Sequence, residues 1–371
     1  MNDKRIIRRI PYMAAALSFL AAAPAFQSCA DWTEPESVKL VKADLETLDP
    51  ELRAQYLQSL RDYRASEHKV MIAKFDNSNS APSGRAWHIA SLPDSVDYVI
   101  LTEPDNLHPL TVEEMSSIRS ERGTATLYEI DCGRFEAEYR AYEEEWAASR
   151  PAAGDGFTDT PDGTMKTFPE FLSEKMADVF SPYGRYGYDG VHIVYSGKSP
   201  LGMTEAVKAE YLAGQEAFFG KILEWRAANP SALLFFEGTP QYLIFEGSEA
   251  FLDGARYIVV PSYGAVSYEE FSYNTLAMDN GSIPSGRFVI GVSAISATDP
   301  KDLSGTFNGT GEDGAPMTAI KAAANWVNME DGAFARAGVL VKRASHDYYN
   351  PSMTYSNIRG AISLMNPSPL N

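Results

Sequence analysis

Cysteine is almost absent from this 371-residue chain, which has two, Cys29 and Cys132. That excludes a disulfide framework and any multi-cysteine metal site. Histidine is scarce as well: the five (His68, His88, His108, His192, His346) form no His-x-x-x-His pair, and no Glu stands at a zinc spacing from them. No metal is expected. Basic charge is in deficit, with 32 Lys and Arg against 50 Asp and Glu, a formal net charge of −18. A nucleic-acid backbone is therefore excluded as partner, whereas a neutral ligand is not repelled. No glycine-rich turn follows the first strand candidate, which runs into Lys74-Phe75-Asp76-Asn77-Ser78-Asn79. A dinucleotide fold would carry such a turn, so no cofactor is expected.

Long apolar runs are also missing. The longest, Pro11 to Ala25, is Ala-rich, broken by Tyr12 and Ser18, and too short for a confident membrane span. It follows a basic cluster of Lys4, Arg5, Arg8 and Arg9 and ends in Phe26-Gln27-Ser28-Cys29. This has the form of an export signal. The small residue before Cys29 resembles a bacterial lipobox, although Phe26 stands where Leu is usual. Residues 1–28 are read as a lipoprotein signal peptide, Cys29 as the lipidated residue and 29–50 as a tether. An ordinary secretory signal is the alternative. The acidic stretch Ala30-Asp31-Trp32-Thr33-Glu34-Pro35-Glu36 resembles surface-export signals of Bacteroides-type lipoproteins, which implies the outer membrane, facing the exterior.

What is there from residue 51 onward is alternation. Short apolar runs are followed by loops, and most of these by helical patterns, the mark of α/β architecture with a parallel sheet. Strand candidates are Val70–Phe75, Val96–Leu101, Thr124–Ile130, Gly190–Tyr195, Ala232–Phe236, Tyr257–Val260, Phe288–Ser293 and Val339–Lys342. Helices are expected at 51–65, 111–121, 135–148, 169–180, 205–228, 240–251, 268–279, 315–336 and 353–365. Eight strands with helices between them predict one (β/α)8 TIM barrel over 51–371.

The segment 187–196 reads Gly-Tyr-Asp-Gly-Val-His-Ile-Val-Tyr-Ser. It resembles the fourth barrel strand of glycoside hydrolase family 18, which carries Asp-Gly-x-Asp-x-Asp-x-Glu. Asp189 and Gly190 match the first two positions. His192, Val194 and Ser196 stand at the second Asp, the third Asp and the Glu. The resemblance extends to strand spacing along nearly all of the chain after the signal, and is strongest to the single-barrel endo-β-N-acetylglucosaminidase-like lipoproteins. It implies that the terminal Glu is the general acid. The Asp two residues before it would steady the substrate's own N-acetyl group as that group attacks the anomeric carbon.

Those carboxylates are missing here. Ser196 has no useful acidity near neutral pH and Val194 cannot orient an amide. His192 lies about 13 Å along the strand from position 196. General acid catalysis alone is worth roughly 10²–10⁴-fold, so no catalytic residue is assigned. His192 is read first as a hydrogen-bonded core histidine, with ligand or metal contact as alternatives.

Functional groups of a barrel gather at the C-terminal ends of its strands. Candidate ligand-binding residues there are Asp76, Glu129, Asp131, Tyr195, Ser196, Glu237, Tyr263, Asp347 and Tyr348, with Trp87, Tyr242 and Trp326 as further aromatics. Aromatic faces and short polar groups suit sugars. The expected function is non-catalytic glycan binding, with N-acetylglucosamine-containing glycans implied by the resemblance alone. Neighbouring glycan-uptake proteins are possible partners. Two alternatives stay open: an active endo-glycosidase with relocated acids, and a structural or protein-binding scaffold.

Overall fold

The computed structural model describes residues 49–79, 81–149, 164–279, 283, 286–311, 314–329 and 335–367. The signal segment, Cys29, the tether up to residue 48 and most of the loop expected at 150–168 lie outside them. Among the described residues, no helix is long and apolar enough to cross a membrane.

Eight parallel strands close into a barrel: β1 (Val70–Phe75), β2 (Tyr98–Leu101), β3 (Ala125–Asp131), β4 (Gly190–Tyr195), β5 (Leu233–Gly238), β6 (Tyr257–Pro261), β7 (Phe288–Ser293) and β10 (Arg336–Lys342). Consecutive strands lie side by side, and β10 pairs with both β7 and β1 to close the ring. The (β/α)8 expectation holds, and each of the eight expected strands is present.

Alternation of side chains along each strand sorts two apolar layers. Val70, Ile72, Ile100, Leu127, Phe235, Val259, Val289 and Leu340 fill the barrel interior. The other face of each strand meets the helices, with Phe218, Phe219, Phe251, Phe271 and Trp326 among its fully buried side chains.

The helices are α1 (Pro50–Ala65), α2 (Pro109–Arg122), α3 (Cys132–Ala148), α4 (Phe168–Lys175), α5 (Ser181–Tyr186), α6 (Glu205–Ala228), α7 (Ser248–Gly254), α8 (Tyr268–Met278), α9 (Ala319–Val327) and α10 (Ser356–Met365). Several start where the chain supplies a cap. His108 accepts from Leu110 N ahead of Pro109 in α2, Asp131 from Gly133 N in α3, and Thr204 from Val207 N in α6.

Three expected helices are corrected. The 315–336 segment is not one helix. Pro316–Thr318 forms β9, paired antiparallel with β8 (Thr306–Thr310), and Thr318 then caps the shorter α9. Arg336 already belongs to β10, where its guanidinium lies 4.1 Å from the Trp326 ring centroid. The 169–180 segment ends at Lys175, and α5 is a separate helix beginning at Ser181-Pro182. In 240–251, a single 3-10 turn (Pro240–Tyr242) precedes α7.

Candidate functional site

Period-two alternation carries four polar side chains into the barrel just above its apolar layer: Lys74 from β1, Glu129 from β3, His192 from β4 and Glu237 from β5. All four are buried, with side-chain exposures of 6%, 8%, 0% and 5%. The Lys74 ammonium pairs with Glu129 and lies 3.1 Å from Glu237 Oε2. The His192 ring sits between the same carboxylates, Nδ1 3.7 Å from Glu129 Oε2 and Nε2 3.3 Å from Glu237 Oε2. Neither contact has hydrogen-bond geometry, so His192 is a core histidine without the hydrogen bonds expected of it. Tyr263 donates its hydroxyl to Glu237 Oε1 at 2.7 Å. Gly291 leaves room for that ring: a Cβ there would meet the Tyr263 hydroxyl at 3.3 Å.

Charge decides what this cluster can do. Burial alone would push the Lys74 ammonium down, but Glu237 and Glu129 reverse the effect and hold its pKa above the ordinary value. Burial alone would raise the Glu129 carboxyl, yet the His192 ring and the Lys74 ammonium bring it down to about 2. Glu129 is therefore a fixed anion at neutral pH and has no proton to give a leaving sugar. Inverting hydrolysis keeps its two carboxyls about 6.5–9.5 Å apart to admit a water; here an ammonium occupies the space between the two glutamates.

The family-18-like segment runs along β4. Asp189 stands just before the strand and binds Arg119 through both oxygens (2.8 and 3.0 Å) and Thr126 N at 2.7 Å. It ties α2 to β3 and β4 at the N-terminal end of the barrel, away from the mouth. Gly190 is required by close approach, since a Cβ would fall 2.1 Å from Leu233 O on β5. Val194 is half-buried and Ser196 exposed. The position of the expected general acid thus lies at the barrel mouth and holds a hydroxyl.

The remaining candidates divide by where their polar atoms are engaged. Asp76 accepts from Ser78 N, and Asp131 caps α3. Burial raises the pKa of Asp131. Tyr195 and Asp347 have their polar atoms engaged within the fold. Tyr195 points away from the barrel axis, because it sits one residue out of phase with His192 and Val194; it stacks near Phe218, accepts from Gln215 Nε2 at 3.1 Å and lines the cavity beside Ser196. Asp347 is buried and accepts from Ile358 N (2.9 Å) and Asn357 Nδ2 (2.7 Å), so its carboxylate holds the start of α10. Tyr348 packs edge-on against Tyr355. Trp326 is core, and Tyr242 offers its carbonyl to Gln215.

Two cavities flank the mouth. One of about 210 Å³ lies beside Ser196, between Cys132, Phe168, Tyr211 and Glu210. The other, about 250 Å³, lies between the loops after β1 and β2 and is lined by Asn77, Trp87, Asp105 and His108 among others. Sequence reasoning missed Lys74, Asn77 and His108. Lys74 left a signal, a lone charge at an inward position of the apolar strand Val-Met-Ile-Ala-Lys-Phe.

Among solved structures, a selenomethionine Glu-to-Gln variant of BT1044 matches with a TM-score of 0.57 at 16% identity, over 87% of this chain and 95% of that one. The apo endo-beta-N-acetylglucosaminidase of Cordyceps militaris matches with 0.58 at 14%, over 84% and 96%. A double variant of that enzyme in complex with fucosyl-N-acetylglucosamine-Asn matches with 0.54 at 16%, over 84% and 95%. At these identities the likeness shows the fold alone. No curated protein matches the chain. The family described as glycoside hydrolase family 18, BT1044-like, matches residues 33–364, so the chain belongs to that family.

Proposed function

We propose that this protein is a non-catalytic glycan binder built on a family-18 barrel, anchored through Cys29 at the outer membrane and facing the exterior. One observation carries it. The general-acid position is Ser196, two inward carboxylates below it, Glu129 and Glu237, are joined through Lys74, and Asp131, one inward step nearer the mouth on β3, is engaged with Gly133 N at the start of α3. Glu129, held as an anion by its pairing with Lys74, cannot protonate a glycosidic oxygen. This weighs against an active enzyme with relocated acids at these two positions. The ligand class is glycans containing N-acetylglucosamine, supported by family membership and by the fucosyl-N-acetylglucosamine-Asn bound to the Cordyceps militaris variant. The protein would hold such glycans for uptake or for a neighbouring hydrolase.

The test is a glycan array on the full chain, paired with chromatography of every retained oligosaccharide. Retention without products is the expected result. Cleavage at an enzyme-like rate overturns the proposal, and no retention at all moves the barrel to a scaffold role. Incorporation of a labelled fatty acid, lost in Cys29→Ala, tests the anchor.

A further inference from the structure

The cavity between the β1 and β2 loops has features that the barrel axis lacks. It is open, about 250 Å³ in volume, and combines a half-buried indole, Trp87, with side-chain donors and acceptors. Its walls are fixed before any ligand arrives. The Asn77 amide joins the two loops, donating to Glu103 O at 2.7 Å and accepting from Glu103 N at 2.8 Å. Asn106 adopts a left-handed backbone (φ 56°), and its N–H donates to the Tyr186 hydroxyl at 3.0 Å. Such a conformation, held by a neighbouring element, fits a pre-organised binding loop.

Charge at this site is already balanced. Glu103 pairs with Arg134, and Asp105 with Arg185 at 3.1 Å. His108 uses Nδ1 to accept from Leu110 N, so its proton sits on Nε2, which remains a donor. An aromatic face, neutral donors and neutralised carboxylates suit a ring with an apolar C–H face and hydroxyls around its edge. At about 250 Å³ the cavity lies just below the roughly 300–1,000 Å³ of a drug-sized ligand, a size that suits one ring.

We infer that this cavity holds a single neutral pyranose residue of the glycan, stacked on Trp87 and hydrogen-bonded by His108. The inference rests on the glycan-binding proposal and moves the contact off the barrel axis, which the Lys74–Glu237 pair crosses.

The experiment compares the full-length wild type with Trp87→Ala and His108→Asn against whichever glycan the array retains. Asparagine keeps an N-cap for α2 and removes the Nε2 donor. Thermal melts establish that each variant is folded. Each change is expected to weaken binding about tenfold or more. Titration with the glycan's terminal neutral monosaccharide is expected to quench wild-type indole fluorescence and to leave Trp87→Ala unresponsive. Unchanged affinity in both folded variants overturns this inference and leaves glycan binding elsewhere on the barrel intact. Should the wild type cleave the glycan while Trp87→Ala loses affinity, the non-catalytic proposal fails and the cavity stands. If the wild type retains no glycan, both fall.

Discussion

Lys74 on β1 reaches Glu237 on β5 at 3.1 Å, between strands that lie diametrically opposite in the eight-stranded ring. The pair crosses the barrel axis. With Glu129 on the same ammonium, it fills the barrel interior just above the apolar layer.

Removing the cation should therefore strand two buried carboxylates. Lys74→Met keeps the length of the side chain and deletes the charge. Urea unfolding is expected to show a loss of about 3–5 kcal/mol. Adding Glu129→Gln to it should recover part of that loss, because one uncompensated anion is removed. A single variant as stable as wild type would show that the ammonium is dispensable.

Acid stability follows from Glu129. Its folded pKa, about 2, lies below the ordinary 4.5, so between those values the unfolded chain binds the extra proton. The carboxylate's contribution is complete above about pH 4.5 and is lost as pH falls toward 2. In Glu129→Gln, the slope of unfolding free energy against pH should flatten within that window and stay unchanged from pH 6 to 8. An unaltered acid limb would contradict the clamp.

Asp189 belongs to the matched motif, yet its place is at the opposite end of the barrel from the mouth. Asp189→Ala leaves the buried Thr126 N–H unpaired and should cost about 1–3 kcal/mol. Asp347→Ala should cost about 1–2 kcal/mol through the lost cap on α10. Glycan affinity is expected to stay the same in both, measured by titration below their melting temperatures.

The β4 positions give the sharpest test of the non-catalytic proposal. Ser196→Glu alone restores a carboxyl without the neighbour that steadies an N-acetyl group, and should cleave only at trace level. The pair Val194→Asp with Ser196→Glu supplies both and is expected to raise cleavage roughly 10²-fold over the single variant. Turnover by the wild type would refute the premise.

Much of this was legible in the chain because it is local. Alternation of apolar residues marked all eight barrel strands, and Asp189-Gly190-Val191-His192 marked β4 as family-18-like. The substitutions at 194 and 196 needed no coordinates to show that the family's carboxylates are missing from those two positions. Errors came where local pattern competes with tertiary pairing. Residues 315–336 carry helical periodicity, but Pro316–Thr318 finds a strand partner and Arg336 a place in the barrel.

Sequence by itself determined the barrel, the family-like strand and the absence of an acid at its end, since each depends on spacing along one segment. Only the tertiary structure decided which polar side chains meet. Lys74 and Glu237 are 163 residues apart and touch because the ring closes. Asn77 and Glu103 join two loops into one cavity for the same reason. Side-chain partnership depends on distance in space, and no periodicity within a strand encodes what stands across the barrel from it.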